Sequence, residues 1–114
     1  MNLQVEQPNP NTTILHLDGR LDASSQEIVK NIWLSDNNVK YIIADMASTS
    51  FIDSLGMAAL VSGMKAARTR GGEFYIVNPG DVVRVLLELT RMDKAFRIVS
   101  SVEEALQTIA ANGS

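Results

Sequence analysis

The chain has no cysteine and only one histidine among its 114 residues. Disulfide bonds and thiolate metal sites are therefore excluded, and so is a histidine-rich metal centre. The net charge at pH 7 is −3 and no run of lysine or arginine occurs, so direct binding of nucleic acid is not expected. No apolar run reaches the roughly 18 residues that a bilayer-spanning helix needs, and the first residues lack the basic and apolar parts of a signal peptide. We expect a cytoplasmic protein with no membrane insertion and no cofactor.

The length and the order of patterns predict one α/β domain over residues 1–114. Hydrophobic spacing predicts about five strands and about four helices in the order β-β-α-β-α-β-α-β-α. An opening hairpin followed by strand–helix alternation indicates a mixed, mostly parallel sheet. The strands are expected at 3–6, 12–18, 41–46, 74–77 and 95–99, and the segments 24–27 and 101–104 look like capping boxes that open helices.

Two helices carry apolar residues in patterns that bear on function. The helix over residues 55–69 is expected to turn Met57, Leu60, Val61, Met64 and Ala67 to the sheet. Its other side carries Leu55, Ala58, Ala59, Ser62 and Ala66 and, further along, Lys65 and Thr69. The first two turns of that outer side hold no charge. That side is either a docking surface or a face that loops cover, or alanine is there for helix propensity. The helix that begins at Asp81 gathers Val82, Val85, Leu86 and Leu89 on one side.

The run Phe51-Ile52-Asp53-Ser54-Leu55-Gly56-Met57 places a serine directly after an aspartate where a helix begins. The Ser54 hydroxyl can cap that helix, because the first helical N–H groups lack partners. It can also be a phosphorylation switch, since a phosphoserine carries about −1.5 to −2 charges. A helix N-terminus tolerates that charge, whereas a partner docked on Leu55, Ala58 and Ser62 would have to bury it. Asp53 makes the site still more negative.

The chain resembles the STAS-domain family, and specifically bacterial anti-sigma factor antagonists, from about Leu3 to Ala110. An ordered set of motifs carries the resemblance: Leu17-Asp18-Gly19-Arg20-Leu21-Asp22, Ile43-Ala44-Asp45-Met46, Phe51 to Gly56, Arg70-Gly71-Gly72 before Phe74-Tyr75-Ile76-Val77-Asn78, Phe96-Arg97-Ile98, and Ser101-Val102-Glu103-Glu104-Ala105-Leu106. Many members have serine or threonine at the position of Leu55, which leaves Ser54 as the acceptor of the pair. Ser48, Thr49 and Ser50 are nearby hydroxyls, but none of them follows the aspartate at the helix start.

The resemblance implies a partner-switching cycle. The unphosphorylated antagonist binds an anti-sigma factor and frees the sigma factor for transcription. The anti-sigma factor is often a serine kinase of the histidine-kinase-like ATPase fold, and phosphorylation of the motif serine, here Ser54, releases the antagonist. A PP2C-type phosphatase resets it. The partner surface then comprises Asp22, Asp53, Ser54, Leu55, Gly56, Ala58 and Ser62, with Asp22 near the acceptor, and no residue is catalytic.

Three other functions are compatible with parts of the sequence. A serine hydrolase would need Gly-x-Ser-x-Gly, but Ile52 replaces the first glycine and the only base, His16, lies mid-strand. A receiver domain would use Asp45 at a strand end, and it would need an acidic pair after the first parallel strand and a lysine after the last strand, where this chain has Ser100-Ser101. Asp45 is expected instead to hydrogen-bond the loop that carries Ser54. A non-switching STAS subunit of a transporter or signalling complex is the third interpretation.

Overall fold

The computed structural model describes residues 1–112, so residues 113–114 of the predicted domain range lie outside it. The elements in chain order are β1 (Asn2–Asn9), β2 (Thr12–Leu21), α1 (Gln26–Leu34), β3 (Tyr41–Asp45), β4 (Thr49–Ile52), α2 (Ser54–Thr69), β5 (Glu73–Val77), α3 (Asp81–Leu89), a 3₁₀ turn (Met92–Lys94), β6 (Arg97–Val99) and α4 (Val102–Asn112). The predicted α/β class and its strand–helix order are confirmed, with β4 as an additional strand. No helix within the described residues is both long and apolar enough to cross a bilayer.

The sheet has the order β1-β2-β3-β5-β6, and β4 pairs with the far end of β2. The β1–β2 hairpin is antiparallel and the remaining strand pairs within residues 1–112 are parallel, so the sheet is mixed and mostly parallel as predicted. β4 is parallel to β2, with Arg20 opposite Phe51 and Leu21 opposite Ile52. This short ladder places the start of α2 beside the end of β2.

Helices cover the sheet on both faces. One core cluster combines residues of α1, α2 and α3 with the sheet, and α4 packs Ala105 and Ile109 on the opposite face. Trp33 of α1 and Phe74 of β5 meet edge to face with ring centroids 5.3 Å apart. Gly63 of α2 lies against both rings, because a Cβ there would be 2.6 Å from Phe74 and 2.9 Å from Trp33. Its missing side chain lets α1 and α2 approach each other closely.

The buried arc of α2 is wider than the sequence pattern indicates. Leu60, Met64 and Ala67 are buried as expected, and Met57 and Val61 pack partly against the core. The prediction that Ala59 faces outward is wrong, since it is fully buried. The reason is that α1 packs beside α2 and covers a side of the helix that the sheet does not reach.

The apolar side of α3 that the sequence pattern marks is mostly outside the core. Val83 and Leu87 are the buried residues of this helix. Val82, Val85 and Leu89 are 53%, 51% and 75% exposed, and Leu86 is half-buried. Six of the nine residues from Asp81 to Leu89 are apolar, so tertiary packing decides which of them are covered.

The two predicted capping boxes differ in outcome. Ser25 precedes α1 but does not cap it; its hydroxyl donates to the Arg20 carbonyl at 2.7 Å and accepts from the Asp22 N–H at 3.1 Å. In the second box, Ser101 Oγ accepts the Glu104 N–H at 3.0 Å, as predicted. The Glu104 carboxylate binds the N–H of Ser100 at 2.6 Å, which lowers the pKa of that carboxyl.

Candidate functional site

Asp53, not Ser54, is the N-cap of α2. Its backbone is extended, and its Oδ1 accepts the Gly56 N–H at 2.8 Å. Aspartate and serine are both favoured at the N-cap position. The helix begins at Ser54, one residue earlier than the pattern predicted. Ser54 is therefore the first residue of the helix, and capping does not occupy its hydroxyl.

The Ser54 side chain is exposed at the start of α2. Its hydroxyl takes part in none of the side-chain hydrogen bonds found within residues 1–112. The first N–H groups of a helix have no intrahelical partners, and they carry the positive end of the helix dipole. An unengaged hydroxyl at this position is accessible to another protein, and a negative group attached to it would meet favourable backbone charge.

Asp53 also joins the two loops at this end of the sheet. Its Oδ2 accepts the Ala23 N–H at 3.0 Å, and its own N–H donates to the Leu21 carbonyl at 3.3 Å. Ala23 directly follows Asp22, so the loop that carries Asp22 is held next to the residue before Ser54. The β2–β4 ladder brings these segments together from positions that lie about thirty residues apart in sequence.

The Asp22 carboxylate is fixed by its own loop. Oδ1 accepts from the hydroxyl of Ser24 at 2.6 Å and from its N–H at 3.0 Å, and Oδ2 accepts from Arg20 Nε at 3.3 Å. The Ser24 hydroxyl bond, together with the Arg20 guanidinium, lowers the pKa of Asp22 below its ordinary value. Asp22 is therefore a negative charge at neutral pH.

Arg20 is a member of the site that the sequence patterns did not single out. Its guanidinium carbon lies 4.0 Å from the centroid of the Phe51 ring, directly across the β2–β4 ladder. Stacking on an aromatic face holds an arginine in place while leaving it charged. The site thus has one cation beside the carboxylates of Asp22 and Asp53.

Gly56 is a positioning residue rather than the surface contact that was predicted. It is buried, and a Cβ on it would be 2.1 Å from the Leu21 carbonyl oxygen and 2.9 Å from Ile52. Only glycine lets the first turn of α2 lie this close to the end of β2. It therefore sets the position of Ser54 without being available to a partner.

The remaining predicted contacts lie on the outer side of α2. Leu55 is 47% exposed and Ala58 is exposed, so among the described residues no loop covers them. Ser62 is half-buried and donates its hydroxyl to the Ala58 carbonyl at 3.0 Å. An uncharged patch next to Ser54 is thus open on the first two turns of α2, and Ala58 and Leu55 form its accessible part.

A cavity of about 230 Å³ separates the first turn of α2 from α3. It is lined by Ile52, Asp53, Ser54, Met57, Leu86 and Thr90. Leu86 and Thr90 are more than thirty residues beyond Ser54. The apolar pattern of α3 marks Leu86 in the sequence, whereas no pattern marks Thr90, which follows the helix. The structure therefore brings α3 to the edge of the serine site.

The histidine is not part of this site. His16 lies in β2 with Nδ1 2.7 Å from Asp45 Oδ2 and Nε2 2.5 Å from Glu6 Oε2. Its bond to Glu6 and the nearby Asp45 charge raise its pKa above 6.5. Asp45 Oδ1 accepts the Ala47 N–H at 3.2 Å, in the turn between β3 and β4. Within residues 1–112 the side chain of Asp45 makes no hydrogen bond to the loop that carries Ser54, so that expectation is not met. No hydrogen bond within residues 1–112 pairs His16 with Ser54, so a hydrolase dyad finds no support.

A second, larger cavity of about 570 Å³ lies beside His16. Its lining is formed by Asn2, Leu3, Gln4, His16, Leu17, Asp18, Asp45 and Ser48. Over the part of the chain that the structure describes, no three or more histidine or acidic side chains are grouped to hold a metal ion. The cavity therefore presents polar side chains but no metal-ligand set.

Comparison with known proteins gives consistent findings. A family model described as the STAS domain matches residues 2–105. A Thermotoga maritima protein named as an anti-sigma factor antagonist is 29% identical over 73 residues, which cover 64% of this chain and 62% of the relative. The match thus spans less than two thirds of that relative. The anti-sigma F factor antagonist of Paenibacillus polymyxa is 24% identical over 110 residues, covering 93% of this chain and 94% of the relative.

Solved structures share the fold. An anti-sigma factor antagonist structure from Thermotoga maritima superimposes with a TM-score of 0.86 at 22% identity, covering 95% of this chain and 94% of that one. A sulfate transporter family protein from Wolinella succinogenes gives a TM-score of 0.78 at 18% identity, covering 93% of this chain and 90% of that one. At these identities the likeness describes the fold and not the activity.

Proposed function

The chain belongs to the STAS domain family, and on that premise we propose that it is an anti-sigma factor antagonist controlled by phosphorylation of Ser54. Unphosphorylated, it binds an anti-sigma factor and so releases a sigma factor for transcription. The anti-sigma factor is also the serine kinase, of the histidine-kinase-like ATPase fold, and phosphorylation ends the complex. A PP2C-type phosphatase restores the binding form. The domain itself is a phosphoacceptor and not an enzyme, and the cycle takes place in the cytoplasm.

One observation carries the proposal: the Ser54 hydroxyl is exposed and uncommitted directly after the capping residue of α2. Had Ser54 been the cap, its oxygen would have been turned toward the backbone N–H groups of the first helical turn. Asp53 takes that role instead. A kinase can therefore reach the hydroxyl without disturbing the end of the helix.

The charge of a phosphate explains how binding is switched. A phosphoserine adds about −1.5 to −2 charges next to Asp53 and close to the loop of Asp22. The helix dipole stabilises this charge within the fold, whereas a partner seated on Leu55 and Ala58 must bury or crowd it. A penalty of about 3 kcal/mol is enough to weaken binding roughly a hundredfold. One group thus changes the binding state of an otherwise unchanged domain.

The proposal is tested by incubating the protein with ATP and the candidate ATPase-type kinases of its source organism, with intact mass as the readout. We expect a mass gain of one phosphate on the parent and none on Ser54→Ala. The matched control is Ser50→Ala, which removes an exposed serine four residues earlier and should still gain the phosphate. If no kinase modifies the parent, or if Ser54→Ala is modified equally, the proposal is wrong.

The transporter-related fold likeness supports a second candidate, a non-switching STAS subunit of a transporter or signalling complex. Such a subunit would bind its partner through the same domain without any phosphorylation. A complex that forms equally well with the parent and with Ser54→Asp would favour this second function.

A further inference from the structure

The outer side of α3 is an aliphatic surface that nothing in the described chain covers. Val82, Val85 and Leu89, here called the α3 stripe, are each more than half exposed. At 100° per residue the three lie within about 60° of one another on the helix. An exposed helix face is normally polar or charged, and a contiguous aliphatic patch on a soluble domain marks an interaction surface.

Leu86 connects the α3 stripe to the serine site. It lines the cavity that Ser54 and Met57 border on one side of α3. It also lines an open hollow of about 410 Å³ with Val82 and Val85 on the other side. The apolar surface therefore runs without interruption from the stripe, across Leu86, to the first turn of α2.

We propose that the α3 stripe is a docking surface for the serine kinase that modifies Ser54, and that it receives an aliphatic patch of that kinase. This inference rests on the function proposed above. Phosphoryl transfer requires the serine oxygen to come within about 3–3.5 Å of the ATP γ-phosphate. A kinase that approaches Ser54 this closely must cover the surface around it, and that surface continues onto α3.

The two parts of the surface have different tasks. Partner contacts at Ser54, Leu55 and Ala58 are weakened by phosphorylation, because they lie next to the charge that it adds. The α3 stripe contributes affinity by removing aliphatic area from water, and this contribution does not depend on charge. The stripe therefore recruits the kinase, and Ser54 decides whether the complex persists.

The charges along α3 favour a partner protein over a second copy of this chain. Asp81 and Glu88 lie next to the α3 stripe on the edge away from Leu86, and the exposed Arg84 lies farther from the stripe on the same side, by helical spacing. Two copies packed antiparallel through their stripes would bring these acidic edges together, and like charges across an interface oppose association. A partner with lysine or arginine along that edge has no such penalty. The expected kinase surface is thus aliphatic with a basic border.

The test compares stripe variants in binding and in phosphorylation by the purified kinase that adds phosphate to Ser54. Val85→Ser and Leu89→Ser should each raise the Kd about tenfold and the double variant roughly a hundredfold. The KM for the protein substrate should rise likewise while kcat is kept, because Ser54 is intact. The matched control is Leu34→Ser, an exposed aliphatic residue whose carbonyl lies 3.3 Å from the Arg70 guanidinium, at the opposite end of α2. It should bind like the parent.

Several outcomes would overturn the inference. One is unchanged Kd and KM for the double variant with an unchanged melting temperature. Another is a parent that sediments as a dimer and becomes monomeric on Val85→Ser, which would assign the α3 stripe to a second copy. A third is a double variant that no longer melts cooperatively, since residues this exposed should not carry the fold. By contrast, a parent that the kinase neither binds nor phosphorylates would refute the proposed function itself, together with this inference.

Discussion

Asp53 and Ala23 are joined by a hydrogen bond of 3.0 Å from the Ala23 N–H to the Asp53 carboxylate. The other carboxylate oxygen caps α2 through the Gly56 N–H. One side chain thus fixes both the start of the helix and the neighbouring loop, which determines where the Ser54 hydroxyl lies relative to Asp22. The geometry of the serine site therefore depends on both oxygens of the Asp53 carboxylate.

Removing the Asp53 carboxylate should destabilise the fold. Asp53→Ala loses the cap and the bond to Ala23, and we expect a loss of about 1–2 kcal/mol in the free energy of unfolding by urea. Asp53→Asn keeps one carbonyl oxygen for the cap, so its loss should be smaller. Equal stability of the alanine variant and the parent would show that this side chain does not hold the two loops.

A permanent charge at Ser54 should prevent binding to the anti-sigma factor. We expect Ser54→Asp to raise the Kd by one to two orders of magnitude, as measured by calorimetry, while Ser54→Ala binds like the parent and stays bound when ATP is added. Ser50→Asp places the same charge on β4 as a control and should have little effect. Parent-like affinity of Ser54→Asp would contradict the charge mechanism.

Phosphorylation of Ser54 should leave the fold intact. The added charge lies at the N-terminus of α2, where free N–H groups and the helix dipole favour it. We expect the melting temperature of the phosphorylated protein to stay within a few degrees of the unmodified form in a thermal scan. Loss of the cooperative transition on phosphorylation would mean that binding is switched by unfolding instead.

A charge on the outer side of α2 should weaken partner binding without a large loss of stability. Ala58→Glu is the sharper test, because Ala58 is exposed and the new carboxylate stays in water until a partner docks. We expect at least a tenfold weaker complex in a pull-down titration. Lys65→Glu, further along the same helix and also exposed, serves as the control. Undiminished binding of Ala58→Glu would place the interface elsewhere.

Stability should fall as the pH rises through the titration of His16. The bonds to Glu6 and Asp45 raise the pKa of His16 above its ordinary value of 6.5, so the folded state binds the proton more tightly than the unfolded state. The resulting stabilisation is complete below about pH 6.5 and is lost above the folded pKa. The difference in melting temperature between the parent and His16→Gln should shrink from pH 5.5 to pH 8.5. A constant difference would show that the histidine does not titrate in this way.

The class and element order could be predicted because buried strands and amphipathic helices leave strong hydrophobic patterns. The identity of the N-cap residue of α2 could not be predicted, since Asp53 and Ser54 are both good N-caps and a sequence pattern locates a helix boundary only to within a residue or two. β4 has four residues, too few for a pattern. The partners of His16 lie 10 and 29 residues away, and only the strand register brings them together.

The sequence patterns also could not predict fully which residues of each helix are buried. α3 has apolar residues around much of its circumference, so its pattern could not indicate that Val83 and Leu87 would be buried while Leu89 would not. Ala59 was misplaced because its burial depends on the neighbouring α1. In both cases burial depends on which elements are in contact, and the spacing of apolar residues within one helix does not reveal its neighbours.

The absence of a side chain at Gly63 has an evolutionary consequence. With Trp33 and Phe74 both within 3 Å of where a Cβ would be, a residue larger than glycine at this position requires smaller side chains at the other two. Lineages that descend from this chain should therefore exchange the three residues in concert or retain them together. The loops of Asp22 and Asp53 precede α1 and α2, the two helices that pack at Gly63. These loops can change in sequence and so bind different regulators while the packing of the helices is retained.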